Sequence, residues 1–436
     1  MLQHKEEALT YLSGFGNELE SEMIPGALPV GRNSPQQAPF GLYVEQLSGS
    51  PFVTPRHLSR RSWLYKQMPT ASHGAFVMID AEDFLSESAT VAEGNRIRLQ
   101  RQPDELVPAA FPFGVVTLTI TGSCAGRSGG AVHAYAISED ADAPAFSNAD
   151  AEMLWIPTTS KLRCHTEFGV LEIVPGEIAL IPRGVKLLAQ PEKGGEARGY
   201  LIENYGQPFQ LPDLGPIGAN GLAAARDFLH PVAQVHDRRG PMRWVNKFAG
   251  SFWATDLAFT PLDVVAWRGN YLPCKYDLSR FMVVNTVSFD HADPSIFTVL
   301  TSAGGPAGAP NLEIAIFPPR WQVAEDTFRP PWFHRNTMSE AMGLVVGKYE
   351  VRSDGFQPGG LAIHNCMMGH GPDASSWVAA STRKLEPEYL LGTMAFVLES
   401  ALPFVATTKA LESTARQNDY HSAWQGFQRV TLPEKA

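Results

Sequence analysis

The chain has no CxxC pair, no surplus of positive charge and no apolar run approaching the roughly 20 residues that span a bilayer. Each absence closes off a class of function. The four cysteines, Cys124, Cys164, Cys274 and Cys366, lie far apart, which excludes zinc-ribbon and thioredoxin-like motifs. A formal charge of -10 argues against a nucleic-acid partner, because phosphate backbones demand a basic face. The opening MLQHKEEALTYLSGFGNELE lacks the basic head and apolar core of a secretory signal. A cytoplasmic protein with no membrane partner is the expectation. Also missing are a GxSxG elbow, a GxxxxGK[ST] loop, an HExxH helix and a GxGxxG turn between strand and helix. Serine hydrolases, phosphate-loop enzymes, zincins and dinucleotide oxidoreductases fall away with them.

What is present reads as strand. The 436 residues suffice for two domains, and 38 Gly with 34 Pro spread along the chain favour short strands and tight turns. Short β-branched runs recur: GVVTLTITGS from Gly114, GVLEIVPGEIALIPRGVKLLAQ from Gly169, FMVVNTVSF from Phe281, IFTVLTS from Ile296 and LEIAIFPP from Leu312. Helix is expected in ALTYL from Ala8, in DASSWVAAST from Asp373 and in ESTARQNDYHSAWQGF from Glu412. The pattern predicts a mainly β protein, an antiparallel sandwich or jelly roll with a few peripheral helices.

Gly176, Pro182 and Gly184 form a G-x5-P-x-G pattern that resembles the second motif of cupin jelly rolls. A histidine ligand normally follows three residues later, but Leu187 stands there, so this half resembles a cupin without metal. Glu340 and Gly347 give the E-x6-G spacing of the first cupin motif, and GFQPGGLAIHN from Gly355 loosely echoes the second. The expected organisation is bicupin-like: a metal-free domain over residues 1–280 and a metal-binding domain over 281–436.

Three residues carry the chemistry. His334 and Glu340 are six apart, an even spacing that puts both on one face of an extended segment. His370 follows thirty residues later, far enough for intervening strands to return it to the same pocket. Two imidazoles and one carboxylate are the donor set of a facial metal site with open positions, suited to Fe(II), Mn(II) or Zn(II). Singly, each is better explained as a hydrogen-bonded core histidine or a surface charge; the trio together favours metal. Spacing does not choose between His370 and His364 as the third ligand. His291, between Asp290 and Asp293, reads equally as a carboxylate-assisted general base or as an exposed residue in a turn whose aspartates cap amides. Tyr349 offers a phenol to a bound substrate, though alone it is an ordinary core tyrosine.

Longer segments add a resemblance. YLSGFGNELESE, LYVEQLSGSPF, RRSWLYKQMP, SFDHADPSIFTVLT, FPPRW, FRPPWFHRNTMSEAMGL and PGG-x3-HN-x4-HGPDA are similar, in order and from about Tyr11 to the C-terminus, to the homogentisate 1,2-dioxygenase family. The resemblance implies Fe(II) held by His334, Glu340 and His370, with His291 as the acid-base residue and Tyr349 and His370 against the substrate. It makes His364 a pocket histidine and not a ligand. It further implies homogentisate and O2 as substrates, maleylacetoacetate as product in tyrosine and phenylalanine catabolism, and a homohexamer of two trimers. A reducing compartment would help to keep the iron ferrous. The alternatives are a cupin dioxygenase for another dihydroxylated acid, such as gentisate, and a metal-binding cupin without catalysis.

Overall fold

The computed structural model describes residues 9–433 apart from 82, 216–221 and 350–354. Three large sheets stack with a nine-stranded antiparallel sheet in the middle. Its strand Ser128–Ser138 shows why. Val132, Ala134 and Ala136 point into one core, while Tyr135 and Ile137 point into the other. Side chains alternate across a strand, so a strand buried on both faces must be apolar at nearly every position. GVVTLTITGS, in the neighbouring strand Val115–Ser123, has the same continuous burial.

On one side the middle sheet packs against a seven-stranded sheet that includes Leu162–Thr166, Leu187–Pro191 and Met242–Phe248. Trp155 is fully buried here, edge-on to Phe111 at 4.9 Å and Tyr135 at 5.3 Å. Losing such a side chain costs on the order of 3–5 kcal/mol. Leu187 is also fully buried in this core, where a metal-bearing cupin would carry a histidine. Gly176 and Gly184, the glycines of that motif, sit in turns at φ 95° and 85°. The space between these two sheets is therefore filled by side chains.

On the other side lies a second seven-stranded sheet, ordered Phe209–Gln210, Thr298–Ser302, Leu312–Phe317, Met394–Ser400, Ser339–Val346, Leu361–His364 and Ile97–Leu99. Ile314, Leu398 and Ala341 turn inward onto the middle sheet. The Tyr200 hydroxyl crosses that interface to the carbonyls of Gly360 (2.6 Å) and Leu344 (3.1 Å). The two halves also exchange strands. Ile97–Leu99 completes the C-terminal sheet, and Phe404–Ala406 completes the middle one beside Val115–Ser123. The mainly β, bicupin-like architecture expected from the sequence is what the chain adopts.

Some local expectations fail. FMVVNTVSF is not a strand: residues 281–289 enter no ladder. Asn285 and Thr286 bond instead to the Trp321 and Asp290 carbonyls, side-chain contacts that compete with pairing. ALTYL is not helical where it is described. Tyr11–Ser13 is a strand paired with Phe228–Pro231, and Ala8 lies outside the described residues. DASSWVAAST forms the helix Ala374–Thr382, capped by Asp373, whose carboxylate accepts the Ser376 amide. The ESTARQ segment holds only the end of Thr408–Glu412 and the 3-10 turn Tyr420–Trp424. Among the described residues no helix is long and apolar enough to cross a membrane.

The N-terminal half buries unusual charge. Glu203, fully enclosed, accepts from Lys247 at 2.5 and 2.6 Å, Asn148 at 2.6 Å and Tyr205 at 2.9 Å. Burial opposes its charge, but Lys247 and His133 outweigh that and hold the carboxyl well below its usual range.

His165 and His236 meet edge to face at 5.0 Å. Burial, helped by the neighbouring His236 and Arg163 charges, pushes His165 down to about 4. An unfolded histidine titrates near about 6.5, so below that pH the unfolded chain binds the extra proton. Stability from this group is present above about 6.5 and lost as pH falls toward 4, up to on the order of 3 kcal/mol before screening. His165→Gln should therefore lose less Tm than the parent between about pH 7.5 and about pH 5. Equal losses would refute the assignment.

Candidate metal centre

Glu340 lies near the start of Ser339–Val346, a strand whose alternate residues face opposite sides. Ala341 faces the interdomain core, so Glu340 and Met342 face the outer side and line a cavity of about 470 Å³. That volume suits a small organic ligand. The strand ends at Gly347, at φ 78°, where a Cβ would meet the Gly392 carbonyl at 1.8 Å; only glycine fits the turn that closes the E-x6-G motif.

His334 and His370 come from two loops joined by a small bridge. The His334 amide donates to the His370 carbonyl at 3.0 Å, and the His370 amide returns to the His334 carbonyl at 3.1 Å. Gly371, at φ 153°, lets this bridge close: a Cβ there would approach the Phe333 ring at 2.7 Å. The two imidazole centroids stand 4.1 Å apart. Nε2 of His370 is 3.1 Å, and Nε2 of His334 3.6 Å, from the Glu340 oxygens. One donor atom from each residue falls within 4.8 Å of the other two.

The hydrogen bonds behind these rings decide what the front can hold. Nδ1 of His334 donates to the Trp332 carbonyl at 2.8 Å, and Nδ1 of His370 to the Met368 carbonyl at 3.0 Å. A carbonyl only accepts, so each Nδ1 carries a hydrogen and each neutral ring turns its Nε2 lone pair toward Glu340. Two lone pairs facing a carboxylate repel unless a proton or a cation lies between them. Backbone carbonyls orienting ligand imidazoles in this way are the usual outer shell of a metal site. The donor set thus fits a divalent metal. Burial works against charge on Glu340, yet with a proton in the cation's place its hydrogen bonds to His334 and His370 keep the carboxyl well below the ordinary range. The bond to Glu340 raises His334.

The structure also separates His364 from His370. His364 pairs with Glu340 across the strands, stacks on His370 at 4.3 Å, and turns its Nε2 to the Tyr420 hydroxyl at 3.2 Å. It lines the cavity without joining the cluster.

His291 lines the same cavity, edge-on to Trp332 at 5.1 Å. The Ala292 carbonyl, not a flanking aspartate, accepts from its Nδ1 at 2.7 Å, which leaves Nε2 as the basic atom. Asp293 instead accepts the Ser295 amide at 2.9 Å and caps the 3-10 turn Pro294–Phe297. Of the two aspartates in the turn reading, Asp293 caps an amide, and the imidazole is partly buried. Tyr349 lines the cavity near Phe317, with ring centroids 6.4 Å apart.

Two acidic residues escaped sequence reasoning. Glu313 and Glu399 both line the cavity. Burial, with the charges of Glu340 and Glu313, pushes Glu399 up to about 8. A lone carboxylate inside an otherwise apolar strand, as in LEIAIF and MAFVLES, was the available signal.

Comparison with known proteins agrees with the motifs. The family model described as "Homogentisate 1,2-dioxygenase N-terminal" matches residues 10–278, and "Homogentisate 1,2-dioxygenase C-terminal" matches 279–431. A homogentisate 1,2-dioxygenase of Nitrobacter hamburgensis is 49% identical over 428 residues, 98% of this chain and 95% of that protein. One from Rhodopseudomonas palustris is 48% identical over 440 residues, 100% of this chain and 98% of that protein. Among solved structures, salicylate 1,2-dioxygenase of Pseudoaminobacter salicylatoxidans aligns over 74% of this chain and 87% of its own, at 7% identity and a TM-score of 0.31, a likeness too slight to bear on the chemistry. Two family models spanning both halves, and full-length relatives near half identity, place the chain in one family: it belongs to the homogentisate 1,2-dioxygenases.

Proposed function

We propose that the chain opens the ring of homogentisate with O2 to give maleylacetoacetate, a step of tyrosine and phenylalanine catabolism, at a ferrous ion held by His334, Glu340 and His370. Membership of the family supports the activity. The observation that carries the site is the convergence of those three donors, each imidazole held by a backbone carbonyl, on one cavity. Bound there, a ferrous ion would supply the Lewis acid and the redox path between an electron-rich ring and O2.

The chain's own residues do the rest. His291 takes the phenolic proton on Nε2, since Nδ1 is committed to the Ala292 carbonyl. Tyr349 holds the acid arm by its hydroxyl, and His370 borders the ring. Phe297, Phe317 and Trp332 line the cavity and keep water from the reacting ring. The same reading takes residues 1–280 as the metal-free half and 281–436 as the catalytic half, in a cytoplasmic homohexamer of two trimers. Four free cysteines, three of them buried, suit a reducing compartment.

Iron-loaded protein should consume O2 with homogentisate. It should discriminate against gentisate, whose acid arm is one methylene shorter, by about tenfold or more in kcat/KM. Preference for gentisate would reassign the substrate. Metal binding with no O2 uptake on either acid would leave a cupin without catalysis.

A further inference from the structure

Glu313, Glu399, Glu340 and His364 form one straight row across four adjacent strands. Glu313 pairs with Glu399, Glu399 with Glu340, and Glu340 with His364. Directly opposed residues share a face, and all four line the cavity. The next row on that face is apolar: Ala315 opposite Val397, and Val397 opposite Met342. One step further stands Phe317, with Tyr349 beside it. Strand rise puts Phe317 about 13 Å along from Glu313. The floor is therefore polarised, with metal donors and acid at one end, an apolar stretch in the middle and an aromatic end carrying a phenol.

Like charges directly opposite one another across antiparallel strands cost stability. Of the three carboxylates, Glu340 has a reason to be there, because it faces His334 and His370. Glu313 and Glu399 have none in the metal cluster. Glu313 accepts from the Thr298 hydroxyl, which holds its carboxylate in place at the outer end of the row.

Resting on the reading above, in which the substrate is a dihydroxyaromatic acid, we propose that Glu313 determines orientation. Its carboxylate repels the anionic arm from the metal end, so that the ring lies over the apolar row with its arm toward Tyr349. The reversed pose, arm toward the acid row, is the one a carboxylate wall excludes.

The test compares homogentisate with its neutral amide in the parent, Glu313→Gln and Glu313→Asp, at equal metal content. Removing the charge at 313 admits the reversed, unproductive pose for the acid alone. For Glu313→Gln, kcat and KM for homogentisate should then fall together, by about threefold to tenfold, while both constants for the amide stay within about twofold. Anaerobic binding should tighten for the acid by the same factor and not for the amide. Glu313→Asp, which keeps the charge, should behave as the parent. The proposal is overturned if the glutamine variant leaves acid binding unchanged, if acid and amide shift alike, or if aspartate behaves as glutamine does. Because binding is read without turnover, a parent that binds homogentisate but takes up no O2 would sink the proposed function and still decide this point.

Discussion

Glu340→Gln is expected to keep the fold and lose the metal. Glutamine preserves shape and can donate to the Nε2 lone pairs of His334 and His370, so the metal-free protein should unfold close to the parent. What disappears is the one formal charge among three donors that otherwise offer only neutral nitrogen. Outer-shell changes already cost about 10-fold to 100-fold in metal affinity, so loss of a direct ligand should exceed about 100-fold. O2 uptake should fall at least as far at limiting iron. Iron titration followed by calorimetry checks this, with thermal unfolding of the metal-free forms as control. A variant that bound iron as the parent does would remove Glu340 from the ligand set. His364→Gln is the informative companion, because a residue that stacks on His370 without pointing at the cluster should weaken iron binding far less.

The largest expected effect on stability lies far from the site. Lys247→Met leaves the fully buried Glu203 carboxylate without its cation. Breaking a buried pair from one side costs about 3–5 kcal/mol, whereas replacing both partners by well-packed neutral groups costs much less. Urea unfolding should therefore show Lys247→Met well below the double variant with Glu203→Gln. The sign with pH is also set. The parent's depressed Glu203 contributes stability above the unfolded carboxyl range, near about 4.3, that is lost as pH falls through the lower folded value. In Lys247→Met the carboxyl protonates readily, so the gap between the two proteins should narrow on acidification. A double variant as unstable as the single one would show that packing, not charge, holds this cluster.

Much of this molecule is legible in residue order because strands impose a period of two. The runs around Gly114, Gly169 and Leu312 follow it and are strands. FMVVNTVSF is an apolar run that is not a strand; its Asn285 and Thr286 bond to the Trp321 and Asp290 carbonyls instead. Cupin spacing marked Leu187 as an empty ligand position, and the residue proves to be core. The trio His334, Glu340 and His370 could be selected by type, but the choice of His370 over His364 rests on which way each Nε2 points, which no spacing encodes. The aspartates flanking His291 suggested an imidazole held by carboxylate, whereas Asp293 caps a backbone amide and Ala292 holds the ring. The Glu313–Glu399–Glu340 row stayed hidden for a similar reason, since register across non-consecutive strands is a tertiary fact.

The exchange of strands between the halves bears on how the chain comes to be assembled. Ile97–Leu99 is synthesised more than two hundred residues before its partner Leu361–His364, and the middle sheet waits for Phe404–Ala406 to cover Val115–Ser123. A nascent chain with only its first half made holds an edge strand with nothing to pair with, and carries the face of the middle sheet that Ile314, Ala341 and Leu398 will later bury. Such long-range closure slows folding and exposes sticky edges meanwhile. Neither half should be expected to fold well when expressed alone, and substitutions at either swapped strand should lower the yield of folded protein before they touch the chemistry.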